Sequence, residues 1–98
     1  MDLFDMRKEY DLEVASSYEN FFEAVRESTI HCHETPTEEW VKRVDAALEE
    51  NEDIVQAFFV DAHEVLQLFT EGEMKEEIAR PRINNEIGTC SWNIGMLA

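Results

Sequence analysis

The chain has 98 residues, 44% of them hydrophobic, which is enough for one domain with a single core but not for two. Twenty-three acids against eight bases give a net charge of −15, which speaks against direct binding to nucleic acid or to an anionic membrane surface, because both need basic residues. Few glycines and prolines argue against an all-β domain, and no apolar run reaches the ~18 residues of a membrane span. We therefore expect one helical domain over residues 1–98.

The N-terminal third follows one helical phase from Leu3 to Cys32. This phase predicts an N-terminal turn or short helix that continues into a long helix from about Glu9 to Ile30. Serine and threonine are mediocre helix formers, so the helix could break near Ser16 or near Ser28.

The N-terminus also lacks the basic and apolar regions of a secretory signal, and we expect a cytoplasmic protein.

The second helix has a sharp start signal. Thr35 is the predicted N-cap, followed by Pro36 at the first helical position and Glu38 at the third, in the pattern of a capping box. One apolar stripe then begins at Trp40, and the helix is predicted to end near Glu50, with Asn51 just beyond it. The next helix follows after a very short connection, which predicts that the two are antiparallel neighbours.

The longest apolar pattern runs from Asp53 to Phe69. At about 100° per residue its apolar side chains cover one broad arc, too wide for a surface helix. It predicts a central helix that other helices cover and that stops at Gly72. Asp61 lies at the edge of this arc, so its carboxylate is expected to be paired or hydrogen-bonded.

The C-terminal part is harder to assign. Residues 73–79 resemble a short helix, and Pro81 is expected to stop it. Residues 1–79 carry 22 acids and 6 bases, whereas residues 80–98 carry one acid and two bases. Residues 82–98 could form a last helix or a short strand, with Trp92 covering either the core or a partner. The predicted fold is all-α, a compact bundle of four to five helices with an irregular or short C-terminal element.

The acids form two groups in this scheme. Six acids of the first helical segment fall on one side at helical spacing, and a second group lies where the second helix ends and the third begins. For Glu52 and Asp53 the dipole of the third helix is a sufficient explanation. The candidate partner-binding residues are Asp2, Asp5, Glu9, Glu13, Glu23, Glu27, Glu49, Glu50, Glu52 and Asp53.

These acids admit a functional and a purely structural interpretation. They are either a solvated face, of the kind a halophile also shows, or a surface shaped for a basic site on another protein. Carboxylates at ~5–6 Å steps resemble in spacing the phosphates that a nuclease or a DNA-binding cleft holds. The leading hypothesis is a non-enzymatic inhibitor or immunity-type protein, by toxin neutralisation or by viral DNA mimicry, whose partner is a basic nuclease or nucleic-acid-binding protein.

Two alternatives remain open. The protein could be an assembly or adaptor subunit that binds another chain, or its own copy, through Trp92, Ile94, Met96 and Leu97. It could also be a small metal-binding domain at His31-Cys32-His33, with Cys90 arriving from the tail, if this segment is extended. On a helix His31 and His33 would point about 200° apart and could not share an ion. In a cytoplasmic protein we expect both cysteines to be reduced. We also expect no cofactor and no catalytic residue, because the chain contains no nucleophile motif and no phosphate loop.

Overall fold

The computed structural model describes residues 9–98. A short 3-10 helix, Leu12–Ala15, precedes four α-helices: α1 Tyr18–Ile30, α2 Glu38–Glu50, α3 Glu52–Thr70 and α4 Glu76–Leu97. Residues 9–98 contain no β-strand, so the predicted all-α bundle of four to five helices is confirmed. The expectation of an irregular or short C-terminal element is wrong, because α4 is 22 residues long.

The helix α4 is continuous through the proline that was expected to end it. Pro81 lies inside α4 and is exposed to solvent, so the Glu77 carbonyl that loses its N–H partner lies in a part of the helix that water can reach. Beyond Pro81 one face of the helix is fully buried, and this packing outweighs the low helix propensity of proline and glycine. The buried residues of α4 are Ala79, Ile83, Ile87, Cys90, Ser91 and Ile94.

The predicted central position of α3 is wrong. Only Val55 and Ala62 are fully buried in α3, and the rest of its apolar arc is half-buried or exposed. The molecule measures 43 × 34 × 17 Å, and its thinnest dimension holds about two layers of helices of ~10 Å diameter. In so thin a body α3 cannot be covered on every side, and α4, with its six buried residues, contributes most to the core.

The first helix begins later than the sequence predicts. The Ser17 hydroxyl accepts a hydrogen bond of 3.1 Å from the backbone N–H of Asn20 and caps α1, and Ser17 itself is extended. A continuous helix from about Glu9 to Ile30 is therefore wrong. The preceding segment is held by tertiary contacts instead. The Asn84 amide accepts from the Tyr10 backbone N–H at 2.8 Å and donates to the Tyr10 carbonyl at 3.1 Å.

The second helix is capped by a different threonine from the one predicted. Thr37, and not Thr35, accepts the hydrogen bond from the Trp40 N–H at 3.1 Å, so α2 begins at Glu38 and Pro36 lies outside it. The indole of Trp40 donates to the Ile30 carbonyl at 3.2 Å and ties α2 to the end of α1. Accordingly α2 packs more extensively on α1 and α4 than on α3, although only Asn51 separates it from α3.

Two buried hydroxyls fix α4 against α1. Thr29 donates to the Val25 carbonyl within α1 at 2.7 Å, and Ser91 of α4 donates to the same carbonyl at 3.3 Å. Thr29 and Ser91 are also the only buried polar residues of the described chain, and both are hydrogen-bonded. A buried hydroxyl without a partner would be costly, so this shared acceptor accounts for both side chains.

Two glycines should respond oppositely to alanine. Gly88 is exposed inside α4 with nothing within 4 Å of an added Cβ, so Gly88→Ala is expected to raise the free energy of unfolding by about 0.5–1 kcal/mol. Gly72 has φ +80°, a conformation that strains any residue with a Cβ, so Gly72→Ala should lower the free energy of unfolding by about 1–2 kcal/mol. Urea unfolding followed by circular dichroism measures both. A loss of stability in Gly88→Ala would contradict the assignment of Gly88 to a helix interior, and a gain in Gly72→Ala would contradict the strain expected at its positive φ.

Candidate functional site

The first group of candidate acids does not form one helical row. Glu9 and Glu13 precede the cap of α1, and only Glu23 and Glu27 lie on this helix, one turn apart and exposed. The expected row along a single helix is therefore wrong, because Ser17 starts α1 after Glu9 and Glu13. Two further predicted members, Asp2 and Asp5, lie outside the described residues.

The structure instead gathers acids from two helices around an open groove. Glu19 and Glu23 of α1 stand beside Glu52 of α3, and the groove between them has a volume of about 330 Å³. Its remaining lining comes from the rings of Tyr18 and Phe22. We call these five residues the acidic groove. It unites one member of each predicted acidic group, Glu23 and Glu52, with Glu19, which the sequence analysis missed.

The floor of the acidic groove is aromatic and fixed by the core. The Tyr18 ring lies 5.9 Å from the Phe22 ring and 5.8 Å, edge-on, from the ring of Phe59 in α3. The Tyr18 hydroxyl is buried and makes no hydrogen bond within residues 9–98. Burial, followed by the charge of Glu52 and by Cys90, raises the pKa of Tyr18. The phenol therefore stays neutral, and the floor adds no further charge.

Among residues 9–98, Arg26 is a cation that a carboxylate of this groove acts on, and it already has a partner. Arg26 of α1 forms a two-point ion pair with Asp45 of α2, at 2.6 and 3.3 Å. This hydrogen bond is the largest cause that raises the pKa of Arg26. The charge of Glu23 also raises the pKa of Arg26, as the smallest of these causes. Glu19, Glu23 and Glu52 therefore form no ion pair with a cation of residues 9–98.

The second predicted acidic group lies where it was expected. Glu49 and Glu50 end α2, Glu52 and Asp53 begin α3, and all four side chains are exposed. Glu52 alone among these four lines the acidic groove. In the first turn of α3 Glu52 and Asp53 also interact favourably with the helix dipole, so part of their placement serves the helix itself.

Asp61 differs from its prediction. It is exposed and lies at the edge of an open groove of about 710 Å³ between α3 and α4, so the expected buried pair is wrong. We call this the α3–α4 groove. Its lining mixes the half-buried Val65 and Leu68 with polar residues of both helices, among them Arg82 and Asn85 of α4. Glu86 also lines it, and burial followed by the nearby charge of Asp61 raises the pKa of Glu86.

Two of the three histidines, His33 and His63, have structural partners. The His33 ring lies 4.1 Å from the Trp40 ring, and His63 Nδ1 lies 2.7 Å from the Ala15 carbonyl oxygen. Nowhere in residues 9–98 do three His, Cys, Asp or Glu side chains come close enough together to hold a metal ion. The structure therefore does not assemble the ligand set that a site at His31-Cys32-His33 would need.

Both cysteines are free thiols, but only one has the buried position expected of a free cysteine. Cys90 is buried in α4, and burial followed by the charge of Glu86 raises the pKa of its thiol to about 12. Cys32 is exposed in the segment between α1 and α2. The metal interpretation would bring Cys90 to the histidines, but its thiol is enclosed in the core instead.

The C-terminal apolar residues divide between the two sides of α4. Ile94 is fully buried, whereas Trp92, Met96 and Leu97 are exposed, with 69% of Trp92 accessible to solvent. Trp92 therefore does not cover the core. The adaptor surface proposed from the sequence keeps three of its four residues and loses Ile94.

Comparisons with protein families, with curated proteins and with solved structures give no match to this chain. Within residues 9–98 none of the helices combines the length and the apolar content that crossing a bilayer requires. The functional assignment therefore depends on the geometry and charge of the residues described above.

Proposed function

We propose that this protein is a non-enzymatic, acidic inhibitor of the immunity type, which occupies a basic cleft in a nuclease or a nucleic-acid-binding protein. The observation that supports it most directly is the acidic groove. Glu19, Glu23 and Glu52 converge there on an aromatic floor, and the nearby Arg26 is bonded to Asp45. Three exposed carboxylates that form no ion pair with a cation of residues 9–98 favour a cationic ligand.

The acidic groove suits an arginine or lysine side chain of the partner. A guanidinium placed over Tyr18 or Phe22 gains a cation–π contact, and the neighbouring carboxylates can accept its N–H donors. Glu19 and Glu23 are one turn apart, so their ~5–6 Å spacing resembles that of successive phosphates. Basic residues that hold a nucleic-acid strand in the cleft would then hold these carboxylates instead.

Both helices that carry these acids are anchored before any partner arrives. α1 is capped by Ser17, and Phe21, fully buried, packs against the ring of Phe59 at 5.8 Å. A preformed surface loses little conformational entropy on binding, which favours affinity. The other exposed candidates, Glu27 on α1 and Glu49, Glu50 and Asp53 at the α2–α3 junction, extend the negative surface from the groove and would steer the partner toward it.

Competition with nucleic acid tests this function. The immobilised protein is incubated with lysate of its source cell at about 50 mM salt and at about 500 mM salt, and each protein retained only at low salt is identified. The expected partner is basic, binds nucleic acid, and is displaced by a double-stranded oligonucleotide. A partner that stays bound under saturating oligonucleotide would show that the cleft is not the binding site, and retention indifferent to salt would contradict the electrostatic mechanism.

A further inference from the structure

A second surface lies on the solvent side of α4. Six residues recur there at alternating steps of four and three, and every one of them is exposed. Ile78 is 49% accessible to solvent and Met96 is 71% accessible, although both are large apolar side chains. Alternating steps of four and three are the spacing with which one helix packs along another. We call these residues the outer stripe: Ile78, Arg82, Asn85, Thr89, Trp92 and Met96.

Charge limits what can cover the outer stripe. Two copies of a chain with net charge −15 repel each other over most of their surface. Residues 80–98 are the exception, with one acid and two bases against 22 acids and 6 bases in residues 1–79. The stripe itself carries a single charge, that of Arg82. It is therefore the surface on which a second copy can approach with the least repulsion.

The stripe is also complementary to itself in one orientation. We propose that α4 pairs with α4 of a second copy, antiparallel, about a two-fold axis level with Ile87, to form a homodimer. In this register Ile78 meets Met96 of the second copy and Arg82 meets its Trp92. Asn85 meets its Thr89. The contacts are then apolar at both ends, cation–π between Arg82 and Trp92, and hydrogen-bonded in the middle.

A parallel register lacks these matches. It would place each Arg82 against the other, and like charges across a helix pair are unfavourable. In the antiparallel register Ile78 meets Met96 and Met96 meets Ile78, so both halves of the interface are equivalent, as in any two-fold interface. The paired segments span residues 78–96, about 27 Å at 1.5 Å per residue.

The surroundings of the stripe favour close approach. Gly88 lies beside the proposed axis and is exposed, and it adds no side chain between the two helices. Arg82 and Asn85 also line the α3–α4 groove, where the half-buried Val65 and Leu68 add apolar surface at the flank, beside the acids Asp61, Glu64 and Glu86. The outer stripe shares no residue with the acidic groove, so the homodimer and the inhibitor function do not depend on each other.

Sedimentation and light scattering test the dimer on the full chain from about 1 µM to about 1 mM, the range of weak to moderate association. The expected mass rises from 11.5 kDa to twice that value. Trp92→Glu should raise the dissociation constant at least about tenfold, since buried aromatic residues dominate interfaces. Val60→Glu is the matched control, because Val60 is 60% exposed on α3 and the change adds the same charge.

Mixing two variants tests the register. Ile78→Lys and Met96→Glu should each weaken the dimer, and an equimolar mixture should recover it, since the introduced lysine then faces the introduced glutamate across the interface. Circular dichroism should show folded chains throughout, because all these positions are exposed. A monomer at every concentration overturns the dimer. A dimer that Trp92→Glu leaves intact, or that Val60→Glu weakens equally, overturns this interface. A mixture that does not recover overturns the antiparallel register.

Discussion

Ile87→Ala is expected to lower the free energy of unfolding by about 2–5 kcal/mol, because it leaves a cavity in the middle of the core. Ile87 is 2% exposed and lies on the buried face of α4, between Ile83 and Ile94. Since this helix also contacts every other element of the described chain, the cavity cannot close by a small shift of one neighbour. Urea unfolding followed by circular dichroism measures the loss.

Ile78→Ala provides the matched control for this experiment. It removes the same atoms from the same helix, but Ile78 is 49% exposed, so the expected loss is below about 0.5 kcal/mol. Both measurements should be made in dilute solution, where an association through the outer stripe contributes least. Equal losses in the two variants would mean that α4 is not the principal core helix.

The second large effect concerns the acidic groove. With a basic partner in hand, the triple variant Glu19→Gln, Glu23→Gln and Glu52→Gln should slow association at low salt by about ten- to a hundredfold. The shape of the groove is kept and its negative charge is removed, so the loss should fade as salt rises. Stopped-flow or surface-plasmon measurements at several salt concentrations would show the slower association and how the effect decreases as salt rises.

A second triple variant separates local charge from net charge. Glu71→Gln, Glu73→Gln and Glu77→Gln remove the same three charges near the other end of α3, where all three residues are exposed. Glu77, like Glu19 and Glu52, lies in the first turn of its helix, so the loss of a favourable dipole interaction is partly matched as well. Equal slowing by both variants would mean that total charge drives association and that the acidic groove has no special role.

The elements that the sequence predicted well depend on local signals. The stripe that starts at Trp40 and the apolar arc from Asp53 to Phe69 match α2 and α3 within one or two residues, because periodicity is a property of neighbouring positions. The very short connection between the two helices, with Asn51 just beyond α2, was predicted in the same way. Its amide donates to the Ala47 carbonyl at 2.8 Å, one turn back.

The elements that were missed depend on contacts far apart in sequence. Asn84 bonds both backbone groups of Tyr10, 74 residues away, and no local pattern signals this. The same holds for α4, whose low intrinsic propensity at Pro81, Gly88 and Gly95 is offset by burial against other helices. The break before α1 was a different case: a break near Ser16 was one of the two that the sequence allowed, and Ser17 is the capping residue there.

The candidate site likewise has a part that local sequence signals predict and a part that depends on contacts far apart in sequence. Glu23 and Glu52 could be named from the sequence because each belongs to a dense acidic group. Their meeting in the acidic groove could not, because it depends on how α1 packs against the start of α3. Glu19 was within reach, since it lies one helical turn before Glu23.

The shared bond at the Val25 carbonyl has a mechanical consequence. If α4 slid along α1 by one turn, about 5.4 Å, the Ser91 hydroxyl would lose its acceptor inside an apolar environment. Hydrocarbon contacts alone tolerate several such offsets, whereas a directional bond tolerates one. The exposed residues of α4 are therefore held at a fixed axial position relative to α1.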